Sequence, residues 1–430
     1  MKDLSTKGYF WHPGLPERRV PGWIDFTSGS GGTLHLIGHL DAPGGISFGA
    51  GEVVPRIVGE GDNGLTLENC YRTSRRVGSG LNEETYRFGM MFEGAFRFEE
   101  EEEILLDQLL VEMRHLLAWS GRHNLNEVEI RSPDNKTAGW TTSVEVLPDV
   151  SVEIESGVRM SLRHSPRIEG GKYARTLSQR GFMHLELDSP QELATITAYA
   201  ASIQDLVSMA TNRIAEFDSF RVSNPEFVRN KSAQNASGIR EYLHLHVEWI
   251  AREESDKPLR VLVPFEDIGG LDGVAVWLRK IAPFRDLVSR VMATRYNKTM
   301  YADDRFFNRA AALEGLHRHL YPRRRGANGG KPTFAERLQD LATTAGDPFA
   351  HLVEDVDEWV RKVTRGRNDH AHHLRNAVQT TGATHHFLAD SAYWLFIMCV
   401  FRECNYGGNV FDAIEASAEF KHLHLSLKAI

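Results

Sequence analysis

Nine consecutive positions concentrate most of the chemistry this sequence offers: Arg365-Gly366-Arg367-Asn368-Asp369-His370-Ala371-His372-His373. Two guanidiniums, an amide, a carboxylate and three imidazoles follow directly on an apolar stripe that ends at Val363. An imidazole titrates near neutral pH and can give or take a proton. A guanidinium is a rigid, permanently charged fork that fits phosphate oxygens. Spacing alone decides little. With 38 arginines and 19 histidines in 430 residues, chance supplies about two Arg-x-x-x-x-His pairs, and three occur: Arg367/His372, Arg365/His370 and Arg159/His164. The last lies in a strand-like segment beside Met160 and reads as coincidence. Context singles out Arg367/His372. The polar Asn368 follows the arginine, Gly366 marks a helix boundary, and the surrounding region is helical.

In that context Arg367-Asn368-Asp369-His370-Ala371-His372 resembles the RNxxxH signature of HEPN-domain ribonucleases. The opening of the chain carries a second resemblance. Gly8-Tyr9-Phe10-Trp11-His12-Pro13, then Val20-Pro21-Gly22-Trp23-Ile24-Asp25-Phe26, then Thr33-Leu34-His35-Leu36-Ile37-Gly38 is similar to the start of the ApeA-type N-terminal domain. In that family the domain precedes a HEPN domain in bacterial anti-phage abortive-infection proteins. Phe265-Glu266-Asp267-Ile268 and Ala312-Leu313-Glu314-Gly315-Leu316 resemble the family more weakly. The resemblance implies a metal-independent endoribonuclease with no cofactor. It acts as a homodimer or higher homo-oligomer through the HEPN domain, on RNA and first of all on transfer RNA. The N-terminal domain senses a trigger, with a phage-derived one as the candidate, or restrains the nuclease.

Metal-free cleavage uses the ribose 2′-hydroxyl as internal nucleophile and leaves a 2′,3′-cyclic phosphate and a 5′-hydroxyl. It needs proton transfer and positive charge on the phosphorane, and preorganised charge of that kind is often the largest catalytic contribution. The roles implied are proton transfer for His372, phosphate binding for Arg367 and positioning for Asn368, with Arg365, Asp369 and His373 in support. Helix geometry complicates this. At about 100° per residue, positions i and i+5 lie about 140° apart, so Arg367 and His372 would not share a face of one helix. Arg367 would instead continue the Val356–Val360–Val363 stripe, while Arg365, Asn368 and His372 would line up. Either Gly366 ends one helix and the motif opens another, or two chains share a cleft; the two together are preferred, and Arg365 stays a secondary candidate for the catalytic arginine.

Plainer readings stand beside these. Arg367 and His372 could serve an ion pair or a helix cap in a non-catalytic HEPN scaffold that binds a partner or nucleotide. His370 and His373 could hold a metal with Asp369 or His351, as in a metal-dependent nuclease, but a full ligand set is not evident; His370 also fits a hydrogen-bonded core histidine. Arg323, Arg324 and Arg325, in the basic connector between Tyr321 and Pro332, could grip RNA backbone or simply be solvated. Trp11, Trp23 and Trp140 could line a ligand surface, although strand aromatics usually belong to the core. His385-His386 reads as a helix start, and His422/His424 as a solvated strand or tail. No GxxxxGK[ST] or HExxH sequence occurs, which argues against a P-loop ATPase and a zincin protease.

The elements that must position these residues divide along the chain. Through residue 188 short alternating stretches separated by Gly, Pro and Asn predict an antiparallel β-rich domain, with a hairpin at the Ser28–Gly32 turn. Ile104, Leu105, Gln108, Leu109, Glu112 and Leu116 fall at helical spacing after the acidic run Glu99–Glu103, predicting one interrupting helix. Ser189-Pro190-Gln191-Glu192 reads as a helix start. Residues 189–292 read as a connecting helical segment, with helices over Tyr242–Ile250 and Val274–Ile281 and one strand-like stretch, Pro258–Phe265. Residues 293–430 read as an all-α, HEPN-like bundle of four or five helices, including one stripe from Phe349 to Val363 and a helix at Phe387–Phe401 that is apolar on nearly every side. The fold class expected is α+β. A 41% apolar and 25% charged composition excludes a disordered or fibrous chain. A net charge of −8 confines any nucleic-acid contact to a local patch. Three scattered cysteines, no export signal and no apolar run long enough to span a bilayer predict a cytoplasmic protein without a membrane partner.

Overall fold

The computed structural model describes residues 3–40, 53–77, 80–100, 102–229, 238–248, 259–372 and 382–429; over 369–372 it is the backbone that is described. The chain divides into two compact units. One is Met1–Leu117 with Arg122–Ala201 and Glu216–Glu254; the other is Ala118–Gly121 with Ser202–Ala215 and Ser255–Ile430.

The first unit is strand-built. Its strands are β1 (Leu4–Trp11), β2 (Val20–Thr27), β3 (Gly31–Ile37), β4 (Val53–Glu60), β5 (Gly64–Arg76), β6 (Glu83–Phe88), β7 (Met90–Gly94) and β8 (Leu105–Met113). A short helical turn, α1 (Leu116–Trp119), follows, and then β9 (Asn126–Arg131), β10 (Thr137–Ser143), β11 (Val150–Glu155), β12 (Val158–Gly170) and β13 (Arg175–Glu192). Helix α2 spans Leu193–Thr211, and β14 (Phe217–Ser223), β15 (Val228–Arg229), β16 (Ile239–Arg240) and β17 (Leu243–Val247) complete the set. The main sheet runs β11-β12-β13-β8-β14-β17-β7-β5-β4-β1-β2-β3-β6, and β6 pairs back onto β5. That return closes six strands into an antiparallel barrel. It is possible because β5 is long: Gly64–Glu68 pairs with β7 and Tyr71–Arg76 with β6. Alternation supplies the barrel interior, with Phe10, Ile24, Phe26, Leu34, Leu36, Ile57, Leu67 and Phe88 in one buried cluster. Gly32 has no alternative there, because a Cβ would fall 2.0 Å from the Phe88 ring. The expected hairpin is present, with Thr27 opposite Gly31.

Several expectations are corrected. The segment expected as an interrupting helix is β8, a central strand between β13 and β14. The start of α2 lies at Leu193, because Ser189–Glu192 still belongs to β13, in which Gln191 and Glu192 pair with Leu106 and Leu105 after a bulge. Residues 189–292 are not uniformly helical: β14 and β17 join the main sheet, and the described part of Tyr242–Ile250 contributes β17 rather than a helix. The described part of Pro258–Phe265 forms no strand. Trp11 is buried beneath the Arg19 and Arg97 guanidiniums, Trp23 stacks on His35, and Trp140 is exposed.

The second unit is helical. After α2 come α3 (Gly270–Ile281), a 3-10 turn at Ala282–Phe284, α4 (Arg285–Tyr296), α5 (Ala302–Leu320), α6 (Phe334–Ala345), α7 (Asp347–Val353), α8 (Val356–His372), α9 (Gly382–Glu403), α10 (Gly408–Ala416) and α11 (Ala418–Lys428). Helix α9 is the hub: every residue from Ser391 to Phe401 is buried, as its all-round apolar sequence requires. The stripe Phe349–Val363 is two helices, not one. Glu354 adopts φ 59°, and Asp355 then caps α8 by accepting from the Glu358 amide at 2.8 Å. His422 and His424 lie on α11, not on a strand or tail. Among the described residues no helix is long and apolar enough to cross a membrane.

Candidate functional site

Helix α8 carries the signature segment, and it does not break at Gly366. The helix runs unbroken from Val356 to His372. A glycine inside a helix costs about 1 kcal/mol relative to alanine. Here it permits close approach: a Cβ on Gly366 would lie 3.3–3.4 Å from the Phe306 ring on α5 and 3.6 Å from Nε2 of His385 on α9. The glycine read as a helix boundary is therefore a packing residue, and the expectation that it starts a new helix at the motif is overturned.

The unbroken helix separates the two arginines. Arg367 turns toward the bundle. Its guanidinium lies 3.4 Å from the Glu314 carboxylate on α5, 3.4 Å from Oδ1 of Asn368 and 5.3 Å from the centre of the Phe334 ring at the start of α6. The side chain keeps 33% of its exposure, so it is not sealed in the core. Glu314 also receives Arg318 at 2.6 Å, so two guanidiniums share one carboxylate. Arg365 lies on the exposed side, as does Arg361 one turn earlier, whose exposed side chain pairs with Glu358. By backbone position, residues 365, 368 and 372 fall in one line (i, i+3, i+7), while 367 and 372 stand about 140° apart. The side chains of Asp369, His370 and His372 lie outside the described residues, as does all of His373.

Sequence reading missed a pair next to the motif. His385 Nδ1 donates to the Asp303 carboxylate at 2.5 Å, and the ring stacks on Phe306 at 5.4 Å and 6°. That bond orients the ring and turns Nε2 toward Gly366. Nε2 is buried beside Gly366 with no hydrogen-bond partner among the described residues. The only local signal was the pair of histidines at the helix start; Asp303 is 82 residues away in sequence.

The basic connector is anchored. Arg324 pairs with Asp340 at 3.0 Å, and Glu336 accepts from the amides of Ala327 and Thr333, both at 2.7 Å. Those bonds hold the Glu336 carboxyl down at about 2. Arg323 and Arg325 are exposed. Behind the connector, His317 is buried. Its Nδ1 accepts from Arg337 at 3.1 Å and its Nε2 donates to Asp340 at 2.9 Å, while burial lowers its pKa. His351, one of the metal ligands considered, instead pairs with Glu415 at 3.2 Å. Among the described residues no group of three or more His, Cys, Asp or Glu is arranged to hold a metal.

Strands followed by helices, with a basic helix bearing the Arg-Asn segment in the helical part, define an α+β protein of two-part architecture. A family model described as ApeA N-terminal domain 1 matches residues 5–274, and one described as Apea-like HEPN matches residues 307–406. The first covers more than half of the chain, and the chain belongs to the ApeA family, whose two domains point to anti-phage HEPN nucleases. No curated protein and no solved structure matches the chain.

Proposed function

We propose that the protein is a metal-independent endoribonuclease of an anti-phage abortive-infection system. It cleaves RNA by 2′-hydroxyl attack, leaving a 2′,3′-cyclic phosphate, and its N-terminal part senses a phage-derived trigger or restrains the nuclease. The observation that carries this reading is the coincidence of the HEPN match over residues 307–406 with the Arg365–His372 segment, held on one unbroken helix whose outer line contains Arg365, Asn368 and the backbone of His372. In this reading His372 transfers the proton, Asn368 positions the substrate and Asp369 and His373 support it. Because Arg367 faces Glu314, the 140° separation within one helix favours a cleft shared between two copies, in which Arg365 or Arg367 supplies phosphate charge. Structured transfer RNA, whose loops splay out unstacked nucleotides, is the substrate class to try first.

The pairing of Arg367 with Glu314 favours one competing reading, a HEPN module that binds a partner without cleaving. One assay separates them. Purified full-length protein is incubated with total RNA in excess EDTA, alongside His372→Ala, Arg365→Ala and Arg367→Ala. Cleavage that survives chelation, leaves cyclic phosphate ends and vanishes in His372→Ala supports the nuclease. Loss on chelation points to a metal nuclease. Absence of cleavage in every condition, phage lysate included, points to the binding module.

A further inference from the structure

Strands β12 and β13 run on past the sheet that holds them. On one side β11 pairs with β12 only as far as Leu162; on the other β8 pairs with β13 only from Phe182. From Ser165 to Arg180 the described residues of the two strands pair with each other alone. They close at the turn Gly171–Ala174, where the Gly171 amide donates to the Ala174 carbonyl at 2.9 Å. Every residue from Arg167 to Thr176 is exposed. A two-stranded ribbon has little stability of its own. This one is pinned at its root. Buried His164 bonds through Nε2 to the Gln179 side chain at 2.9 Å, and Gln179 Oε1 also accepts from the Asn124 amide at 2.9 Å.

The charge of the ribbon opposes that of the chain. Between Arg163 and Arg180 stand five cations and one acid, against a net charge of −8 for the whole sequence. Near the root, Arg163 is held by Asp149 at 3.2 Å and Arg180 by Glu112 at 2.7 Å; further out, Arg167 is held by Glu169 at 2.5 Å. At the tip, Lys172 and Arg175 pair with no carboxylate among the described residues. Tyr173 stands between them, 96% exposed, with the Lys172 ammonium 5.9 Å from its ring centre. No core contact accounts for this ring. Free cations beside a free aromatic face match a nucleic-acid strand, which offers phosphates and stackable bases in alternation. An acidic protein surface would engage the cations and leave the ring idle. We propose that this β-arm binds RNA, with Lys172 and Arg175 on phosphates and Tyr173 stacked on an unpaired base. The choice of RNA rests on the nuclease reading, and gives it a substrate contact outside the HEPN match.

The test is fluorescence anisotropy of the full-length protein with a labelled 2′-O-methyl RNA hairpin, which has an unpaired loop and no 2′-hydroxyl to cleave, and with the duplex of its stem. Both are titrated across a salt series on wild type, Tyr173→Ala, the double variant Lys172→Ala, Arg175→Ala, and Lys136→Ala, which removes an exposed cation from the β9–β10 hairpin. Every substituted side chain is exposed, so the variants keep the fold. Tyr173→Ala is expected to weaken hairpin binding about fivefold or more and duplex binding much less. The double variant is expected to flatten the slope of log affinity against log salt by about 1.4, and Lys136→Ala to change neither. Wild-type affinity and slope in both arm variants, or no binding of the hairpin by wild type, overturns the proposal. So does unchanged RNA affinity with a changed oligomeric state in light scattering, which would assign the arm to a second copy of the chain. Cleavage of ordinary RNA is scored separately. Binding through the arm without cleavage keeps the proposal and sinks the nuclease reading; cleavage by a protein whose arm variants bind like wild type does the reverse.

Discussion

The Arg367 guanidinium lies 3.4 Å from the carboxylate of Glu314, a residue of α5 that is 53 positions earlier in the chain. Glu314 thereby holds the signature arginine against the bundle, over Phe334. A phosphate that uses Arg367 must compete with this carboxylate. A partly exposed pair of this kind is worth about 0–1 kcal/mol, so the competition is modest. Glu314→Gln removes the charge and keeps the shape. If Arg367 binds phosphate, this variant binds RNA about two- to fivefold more tightly in a filter-binding assay at low salt, with little change in melting temperature. Unchanged RNA affinity together with a lower melting temperature would assign the pair a structural role.

Gly366 sits where α8 meets Phe306 and His385. Alanine there gains helix propensity of about 1 kcal/mol. It also places a methyl 3.3–3.4 Å from the Phe306 ring. That ring is stacked on His385, which Asp303 holds, so it has little room to yield. Gly366→Ala is expected to lower the stability of the helical unit by about 1 kcal/mol in urea denaturation, and Gly366→Leu by several-fold more because overpacking costs rise with volume. A stabilised Gly366→Ala variant would show that the ring moves aside.

Asp205 couples stability to pH. It is buried on α2 and accepts from the Tyr296 hydroxyl at 2.6 Å. Burial outweighs that bond and the nearby Arg285 charge, and pushes its pKa up to about 7. The folded chain therefore keeps a proton that the unfolded chain has released above about pH 4. The stability contribution is full below pH 4, falls as pH rises from about 4 to about 7, and stays at its lower level above that. Asp205→Asn, which retains an acceptor for Tyr296, is expected to be more stable than wild type at pH 8 and nearly equal to it at pH 4. Denaturation midpoints measured at the two pH values check this; a gain of equal size at both would separate the effect from titration.

What the sequence revealed and what it hid follow from locality. Helices α5, α6 and α9 were readable because burial on one side, or on all sides, is written as apolar spacing. Strand β8 was not. It lies between two other strands and is buried on both faces along much of its length, so Leu105-Leu106 and Leu109-Leu110 satisfy a helical spacing as well as a buried strand. The Leu243-His244-Leu245-His246 alternation was a strand signal, and the helical patterns around it masked it. At the site, the Arg-Asn segment was legible as a motif, and helix spacing already set Arg367 on the Val356–Val363 side and Arg365 with Asn368 on the other; the continuity of the helix through Gly366 was not legible. Gly366 carries breaker chemistry in isolation; a ring from α5 and an imidazole from α9 turn it into a packing residue. The partners Glu314 and Asp303 are remote in sequence and left no local trace.

The connector arginines differ in what holds them, and so should their effect on RNA binding. Arg324 is tied to Asp340, which also receives His317, while Arg323 and Arg325 are exposed beside it. Removing one cation from a single-strand phosphate reduces the slope of log affinity against log salt by about 0.7, and from a duplex phosphate by about 0.9. The double variant Arg323→Ala, Arg325→Ala is therefore expected to flatten the slope by about 1.5 if both grip RNA. Arg324→Ala is expected to change the slope little and to lower the melting temperature slightly, because its first loss is the Asp340 pair. Fluorescence titration of RNA across a salt series reads the slope, and a thermal melt of the same variants reads the stability. A flattened slope in Arg324→Ala, with none in the double variant, would mean that RNA draws Arg324 away from Asp340 and that the loop rearranges on binding.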